Sequence, residues 1–305
     1  MSMLSPFLRK SGMTLAQLAL LAAGGALLYP VSRDLCQVQQ SRGLRFPAPE
    51  ISREDAIGQQ IALFSMGGLR SLAAEILALD ATDAWLKSDW PRTQRRWETI
   101  TTLSPHRINY WIRASQDMAR NAVSQVQTDD RFSRHEQAVL ANQYALSGLK
   151  FLTDGIANNP DSARLYLELA RYYSDVPLPA DYVKSADCYK RALELGAPPM
   201  FRRWVLYNLC KSRTRIQDAW QLARELYDDP GNRTPSMLGI LFALQNKAHV
   251  PPELRLTPEQ LFGSREKAIR SLRTYVTNDL HYPTYGVQEW LDQAQMPQQT
   301  QTIHP

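Results

Sequence analysis

Few residues in this sequence have the types and spacing that catalysis or metal binding requires. The five histidines lie far apart, and none forms an HxxxH pair or stands beside a cysteine. The acidic pairs Asp129-Asp130 and Asp228-Asp229 flank predicted turns, where aspartate commonly caps a helix or is solvated. We therefore expect no metal, no cofactor and no catalytic residue, although a site assembled from distant residues stays an alternative.

Two further stretches match ligand-binding motifs in part. The stretch from Gly67 to Ser71 is glycine-rich, but it lacks the GxxxxGK[ST] order of a phosphate-binding loop and follows no predicted strand. The stretch from Trp90 to Trp97 interleaves aromatic and basic residues, as a single-strand nucleic-acid platform would. Its two tryptophans are seven residues apart and share a helix face, while the arginines fall largely on other faces. We read a core face beside a solvated one, and expect neither a small-molecule substrate nor a nucleic-acid partner.

The composition of the chain points to helices. Its 305 residues are 44% hydrophobic, with only 14 glycines and with 19 prolines spread along the sequence, which predicts an all-α fold divided by proline-marked turns. The net charge of +5 combines 35 basic with 30 acidic residues, and no run of five like charges marks a nucleic-acid-binding tail. Three distant cysteines, Cys36, Cys188 and Cys210, suit neither a disulfide framework nor a zinc site.

One uncharged segment follows a short N-terminal tail, residues 1–12. Residues 13–31 read MTLAQLALLAAGGALLYPV and would span about 28 Å as a helix, close to a bilayer core of ~30 Å. The alternatives are a cleaved signal peptide and a buried helix, but the apolar run continues past its small residues. We expect an uncleaved single-pass anchor in the lipid bilayer, with a cytoplasmic N-terminus and the bulk of the chain extracytoplasmic. A juxtamembrane linker over residues 32–55, a helical domain over 56–292 and a flexible tail over 293–305 complete the predicted organisation.

Prolines mark a recurring pattern inside the helical domain. An aromatic residue stands six positions after each of three prolines, in the pairs Pro105 with Trp111, Pro160 with Tyr166, and Pro198 with Trp204. At the central turn, Asn159 is predicted to be the N-cap and Pro160 the first residue of the next helix. The helices that precede the later prolines share a second spacing, in Gly148, Leu152 and Gly155 and again in Ser185, Tyr189 and Ala192. These spacings predict stacked helical hairpins.

The pattern resembles the tetratricopeptide repeat, a helix–turn–helix unit of about 34 residues. The residues of segment 161–198 that match it are Tyr166, Leu169, Ala170, Tyr173, Ser185, Tyr189 and Ala192, with Pro198 one place late. The marker prolines are 55 and 38 residues apart, so the repeats are degenerate. A wider resemblance over roughly residues 60–195 is to uncharacterised bacterial proteins with one N-terminal anchor and divergent repeats. It implies a solenoid of antiparallel helix pairs that acts as a scaffold, with no activity to carry over.

In the resembling family, the first helix of each repeat lines a binding groove. Asn109, Arg164 and Arg202 each stand four residues after a marker proline, and Leu167 and Arg171 share that face in the central repeat. The resemblance thus implies a basic stripe with one apolar contact, suited to an acidic peptide or a carboxylate terminus. A merely solvated helix face is the alternative.

The function expected from these features is a membrane-anchored scaffold, which binds a protein or peptide partner within a membrane-associated assembly. The alternatives are an enzyme of an unrecognised class and a nucleic-acid-binding repeat protein. A compact pocket that holds a histidine with a carboxylate would favour the enzyme, and a continuous arginine stripe would favour nucleic acid.

Overall fold

The computed structural model describes residues 70–175, 179–212, 214–278 and 282–295, and every regular element in these ranges is a helix. The all-α prediction is confirmed. The chain divides into two compact units, with the boundary between Tyr110 and Trp111, inside the repeat domain predicted over residues 56–292.

The first unit contains a close helical hairpin. Helix α1 (Arg70–Leu86) turns the alanines Ala73, Ala74, Ala81 and Ala84 towards the interior, and these small side chains let α2 (Trp90–Leu103) pack closely. The Asp89 carboxylate caps α2 by accepting from the Arg92 backbone N–H at 3.1 Å. Trp90 and Trp97 are buried, as the helical spacing predicts.

A long interrupted helix crosses the boundary between the units. It consists of α3 (Ile108–Gln116), a π-helical segment (Asp117–Ala122) and α4 (Val123–Gln127), and in the second unit α5 (Arg134–Asn158) packs on the π-helical segment and on α4. Helix α5 begins at a capping box, in which Ser133 and Glu136 each bind the other's backbone N–H. Residues 128–133 form the turn between α4 and α5, inside the predicted insertion Val126–His135.

The rest of the second unit adds one helix after another. Five of these helices follow in sequence, and each packs on the one before it: α6 (Ala163–Asp175), α7 (Tyr182–Glu194), α8 (Phe201–Lys211), α9 (Ile216–Asp228) and α10 (Pro235–Lys247). Helix α6 packs on α5 in the same way. The short α11 (Pro258–Phe262) and α12 (Arg265–Thr277) pack on each other and on α10, and α13 (Val287–Gln295) packs on α12. This order of contacts is solenoid-like.

The marker prolines precede the helices rather than begin them. Helices α3, α6 and α8 each start three residues after a marker proline. The prediction that Asn159 is an N-cap is wrong: it is the C-cap of α5, where its side-chain amide donates to the Gly155 carbonyl at 3.0 Å. Ser162 occupies the N-cap position of α6, and its hydroxyl accepts from the Leu165 N–H at 3.4 Å. An asparagine between two helices can serve either end, and here the unpaired carbonyls of α5 take it.

Small residues lie where helices approach most closely. Ala170 on α6 is fully buried, and the Ser185 hydroxyl of α7 donates to the Ala170 carbonyl at 2.8 Å. Gly155 on α5 is so near Trp111 that an added Cβ would lie 2.9 Å from the Trp111 Cβ. These contacts fit the small positions of the predicted repeat.

The regular 34-residue period appears further along than the sequence predicts. Helices α8 and α10 begin 34 residues apart, at Phe201 and Pro235. Ala219, Ala223 and Leu226 of α9 stand 34 residues after Ser185, Tyr189 and Ala192 of α7, and all six are buried. A third helix pair therefore repeats the central one without an insertion in its second helix.

None of the helices that the structure describes combines the length and the apolar character needed to cross a bilayer. The tail 1–12, the span 13–31, the linker 32–55 and most of the tail 293–305 lie outside the described residues, so the predicted anchor rests on the sequence.

Candidate partner-binding face

A continuous row of six aromatic side chains lies in the second unit, on α7, α8, α12 and the segment that precedes α13. Neighbouring ring centroids are between 5.4 and 6.3 Å apart. Spacing of this kind is typical of interacting aromatic pairs. We call this set the aromatic row; in order it contains Phe201, Tyr189, Trp204, Tyr207, Tyr282 and Tyr275.

Trp204 is the most accessible member of the aromatic row named among the exposed apolar residues. Its side chain is 44% exposed although its indole stacks on Tyr189 at 6.1 Å with the two planes 29° apart. Tyr207, one turn further along α8, meets the indole edge-on at 6.1 Å. The opposite face of α8 buries Val205, Leu206 and Leu209, which holds the helix in place. Trp204 is thus an exposed aromatic side chain supported by two other rings.

The other end of the aromatic row is more deeply buried. The Tyr282 ring lies 5.4 Å from Tyr207 and stacks on Tyr275 at 6.3 Å with the planes 16° apart. Burial raises the pKa of both Tyr275 and Tyr282 well above the usual value of 10. Both phenols therefore remain protonated, and the Tyr275 hydroxyl donates to the Pro283 carbonyl at 2.6 Å.

Lys211 brings a positive charge to this end of the aromatic row. Its ammonium nitrogen lies 5.4 Å from the ring centroid of Tyr182 and 5.3 Å from that of Tyr282, and a cation between two rings interacts favourably with both. Burial lowers the pKa of Lys211, and the negative charge of Asp175 acts against that change. The side chain is half-buried, so much of its charge is shielded from water.

Arg171 lies at the Tyr189 end of the aromatic row. Its guanidinium donates to the Glu168 carboxylate at 2.7 Å. Burial raises the pKa of Tyr189 to about 12, and the positive charge of Arg171 beside it opposes the rise. The aromatic row therefore has a cation near each end, Arg171 by Tyr189 and Lys211 by Tyr282.

The structure places the predicted contact residues as follows. Arg164, Leu167 and Arg171 lie on successive turns of α6, with Arg164 exposed and Leu167 half-buried against the apolar core. Arg202, in the first turn of α8, donates to the Glu225 carboxylate of α9 at 2.9 Å. Asn109 is an exposed residue of the first unit. Three of the five residues thus share one helix, and the continuous basic stripe stays a prediction.

Several residues of this face are not singled out by the sequence pattern. Trp204, Tyr207 and Lys211 stand three and four residues apart, a spacing that puts them on one face of α8 and could have identified them. Tyr282 lies outside any helix, so no periodicity indicates its position.

Other sites for chemistry are weakly developed in the described ranges. No group of three or more histidine, cysteine, aspartate or glutamate side chains there could hold a metal ion. A cavity of about 220 Å³ at the start of α10 has arginine, serine, threonine, tyrosine, asparagine and proline in its lining, without a histidine or a carboxylate. It does not provide the pairing that an acid–base enzyme would need.

No family model matches the sequence, and no curated protein matches it significantly.

Proposed function

We propose that this protein is a membrane-tethered helical-repeat scaffold that binds a protein or peptide partner through the Trp204 part of the aromatic row. One observation carries the proposal: Trp204 is 44% exposed while its indole is stacked on Tyr189 and contacted by Tyr207. Tryptophan is enriched among the residues that dominate binding energy at protein interfaces.

The support beneath Trp204 makes it well suited to binding. A side chain that is already held by neighbouring rings loses little rotational freedom when a partner covers it, so more of the contact energy remains as affinity. The second unit also packs its helices in sequence, an arrangement that other helical-repeat proteins use to present extended binding surfaces.

Charge adds a second element to the proposal. Arg164 shares a face of α6 with Arg171, which lies beside Tyr189. Arginine forms strong, directional hydrogen bonds with carboxylates, so an acidic segment of the partner would suit this side of the face. Arg202 belongs to the proposed basic stripe if it exchanges Glu225 for the partner.

The membrane tether is proposed from the sequence of residues 13–31, which contain no charge. In this proposal the N-terminus is cytoplasmic, and the helical-repeat domain acts on the other side of the membrane within an assembly. The scaffold would then hold its partner close to the bilayer.

Site-specific cross-linking tests the binding face. A photo-reactive amino acid would replace Met200, which is 51% exposed and lies one turn before Trp204, in the full-length protein in its native membranes. We expect a defined cross-linked partner that disappears when Trp204→Ala is added. The same amino acid at Leu254, which is 64% exposed in a 3₁₀ turn, is the control and should not capture that partner. An identical product with and without Trp204 would refute the proposal.

The basic stripe has its own variant. We expect Arg164→Glu, Arg171→Glu and Arg202→Glu together to weaken capture from position 200, while Arg273→Glu on α12 leaves it unchanged. If the triple variant captures the partner as well as the native chain does, the stripe is wrong and the Trp204 face stands.

A further inference from the structure

The short non-helical segment before α13 lies against three helices of the second unit. We call residues 282–286 the strap. Its Tyr282 ring contacts Tyr207 of α8 and Tyr275 of α12, and Lys211 lies over the same ring. The strap thus supplies one ring of the aromatic row from outside the helices.

Side chains of the helices also bind the strap backbone. The Tyr275 hydroxyl donates to the Pro283 carbonyl at 2.6 Å, and the Asn246 amide of α10 donates to the Tyr285 carbonyl at 3.0 Å. Gly286 closes the strap at φ +73°, and a Cβ added there would lie 2.5 Å from the Asn246 amide nitrogen. Only glycine fits this turn without displacing Asn246.

These contacts are those by which a protein binds a peptide in trans. One side chain enters a set of rings, and backbone carbonyls accept hydrogen bonds from side chains of the receptor. We propose that the partner presents a non-helical segment with an aromatic side chain, which replaces Tyr282 in the aromatic row, so that the strap is a built-in competitor for the partner. The inference rests on the proposed function, because it concerns the same face.

The surroundings of Tyr282 favour an aromatic ring over a carboxylate at this position. Two tyrosine rings lie within 6.3 Å of the Tyr282 ring, and both contacts need an apolar, flat side chain. The Lys211 ammonium lies 5.3 Å from the ring centroid, where the negative face of a π-system attracts it. A carboxylate would pair with Lys211 but would lose both ring contacts. Acidic residues of the partner therefore belong near Arg171, and its aromatic residue belongs near Lys211.

A peptide with the sequence of the strap is the probe for this inference. Fluorescein-labelled YPTYGV, residues 282–287, would be titrated into the full-length protein in detergent and followed by anisotropy. We expect Tyr282→Ala to bind it about three- to tenfold more tightly than the native chain, the size of effect that one aromatic pair gives. A peptide with alanine in place of its first tyrosine should not bind.

Two further variants make the outcome decisive. Gly286→Ala should raise the affinity for the peptide in the same direction, because its Cβ displaces the strap while the rings of the aromatic row stay in place. Tyr285→Ala is the matched control; its ring lies under Lys247, outside the aromatic row, so the affinity should not change. Equal affinity of the native chain and both strap variants, or no saturable binding to either variant, overturns the inference.

The two proposals can fail separately. A partner captured from position 200 without peptide binding leaves the proposed function in place and refutes the competing strap. Peptide binding that follows the expected order, without Trp204-dependent capture, supports the strap and refutes the Trp204 face.

Discussion

Gly148 lies directly against Ala119: a Cβ atom added to Gly148 would stand 2.5 Å from the Ala119 Cβ and 2.9 Å from its backbone nitrogen. This is the point at which α5 meets the π-helical segment, and no side chain fits between the two backbones. The close approach makes Gly148 a structural requirement rather than a flexible position.

Gly148→Ala should therefore destabilise the second unit. Alanine favours a helix over glycine by about 1 kcal/mol, but overpacking a closed interface costs ~1–3 kcal/mol, so we expect a net loss of stability. The midpoint of urea denaturation, followed by helical circular dichroism, would show it. Thr153→Ala, an exposed change on the same helix, should leave the midpoint unchanged or raise it slightly.

Ala170→Leu should also be harmful, although it adds apolar surface. Ala170 is fully buried, and its carbonyl accepts from the Ser185 hydroxyl, so a larger side chain must push α6 and α7 apart at a cost of ~1–3 kcal/mol. The same substitution at the exposed Ala157 of α5 is the control. A native denaturation midpoint for Ala170→Leu would contradict the repeat register.

Asp80 should give the first unit an acid-sensitive contribution to stability. Burial alone would raise the pKa of Asp80, but hydrogen bonds and charges from Arg92 and Arg96 outweigh it, and the pKa lies below the usual 3.8. A carboxyl whose folded pKa is lowered stabilises the fold above its unfolded pKa and loses that effect as the pH falls through the folded value.

Hydrogen exchange of the α1 and α2 amides would measure this contribution. We expect Asp80→Asn to exchange faster than the native chain at about pH 6, with the difference shrinking below about pH 4. Asp83→Asn removes an ion pair with Lys87 in which both side chains are largely exposed, and it should have little effect. A difference between native and Asp80→Asn chains that does not depend on pH would rule out the charge as the cause.

The anchor prediction concerns residues that the structure does not describe. If residues 13–31 remain as a membrane span, the intact mass of the membrane-bound protein should include the whole N-terminal region. A mature chain that begins anywhere between residues 20 and 35 would show instead that the segment is a signal peptide.

The sequence predicts the parts of this fold that depend on local spacing. The helices around Tyr166 and Tyr189 follow from apolar periodicity, and the burial of Ala170 and Ser185 follows from their places in the repeat. Both inferences need only the residues of one helix pair, so the degenerate proline spacing does not disturb them.

Contacts between distant segments are not predictable in the same way. The spacing of Trp90 and Trp97 correctly indicates a buried face, but it does not show that Arg92 and Arg96 bind Asp80, because Asp80 belongs to the neighbouring helix. Leu167 has the spacing of a groove residue, yet it packs partly against the core. Tyr282 completes the aromatic row from an irregular segment, and only the folded chain brings it to Tyr207.

Sequential packing in the second unit has a consequence for the order in which the protein assembles during synthesis. From α6 to α10 each helix packs on the one before it, so a chain that emerges from its N-terminus can add helices one at a time. Tyr282 must instead return to Tyr207, which is made long before it. The nascent protein therefore presents Tyr207 and Lys211 before their own chain can cover them, and a partner made nearby meets that surface first.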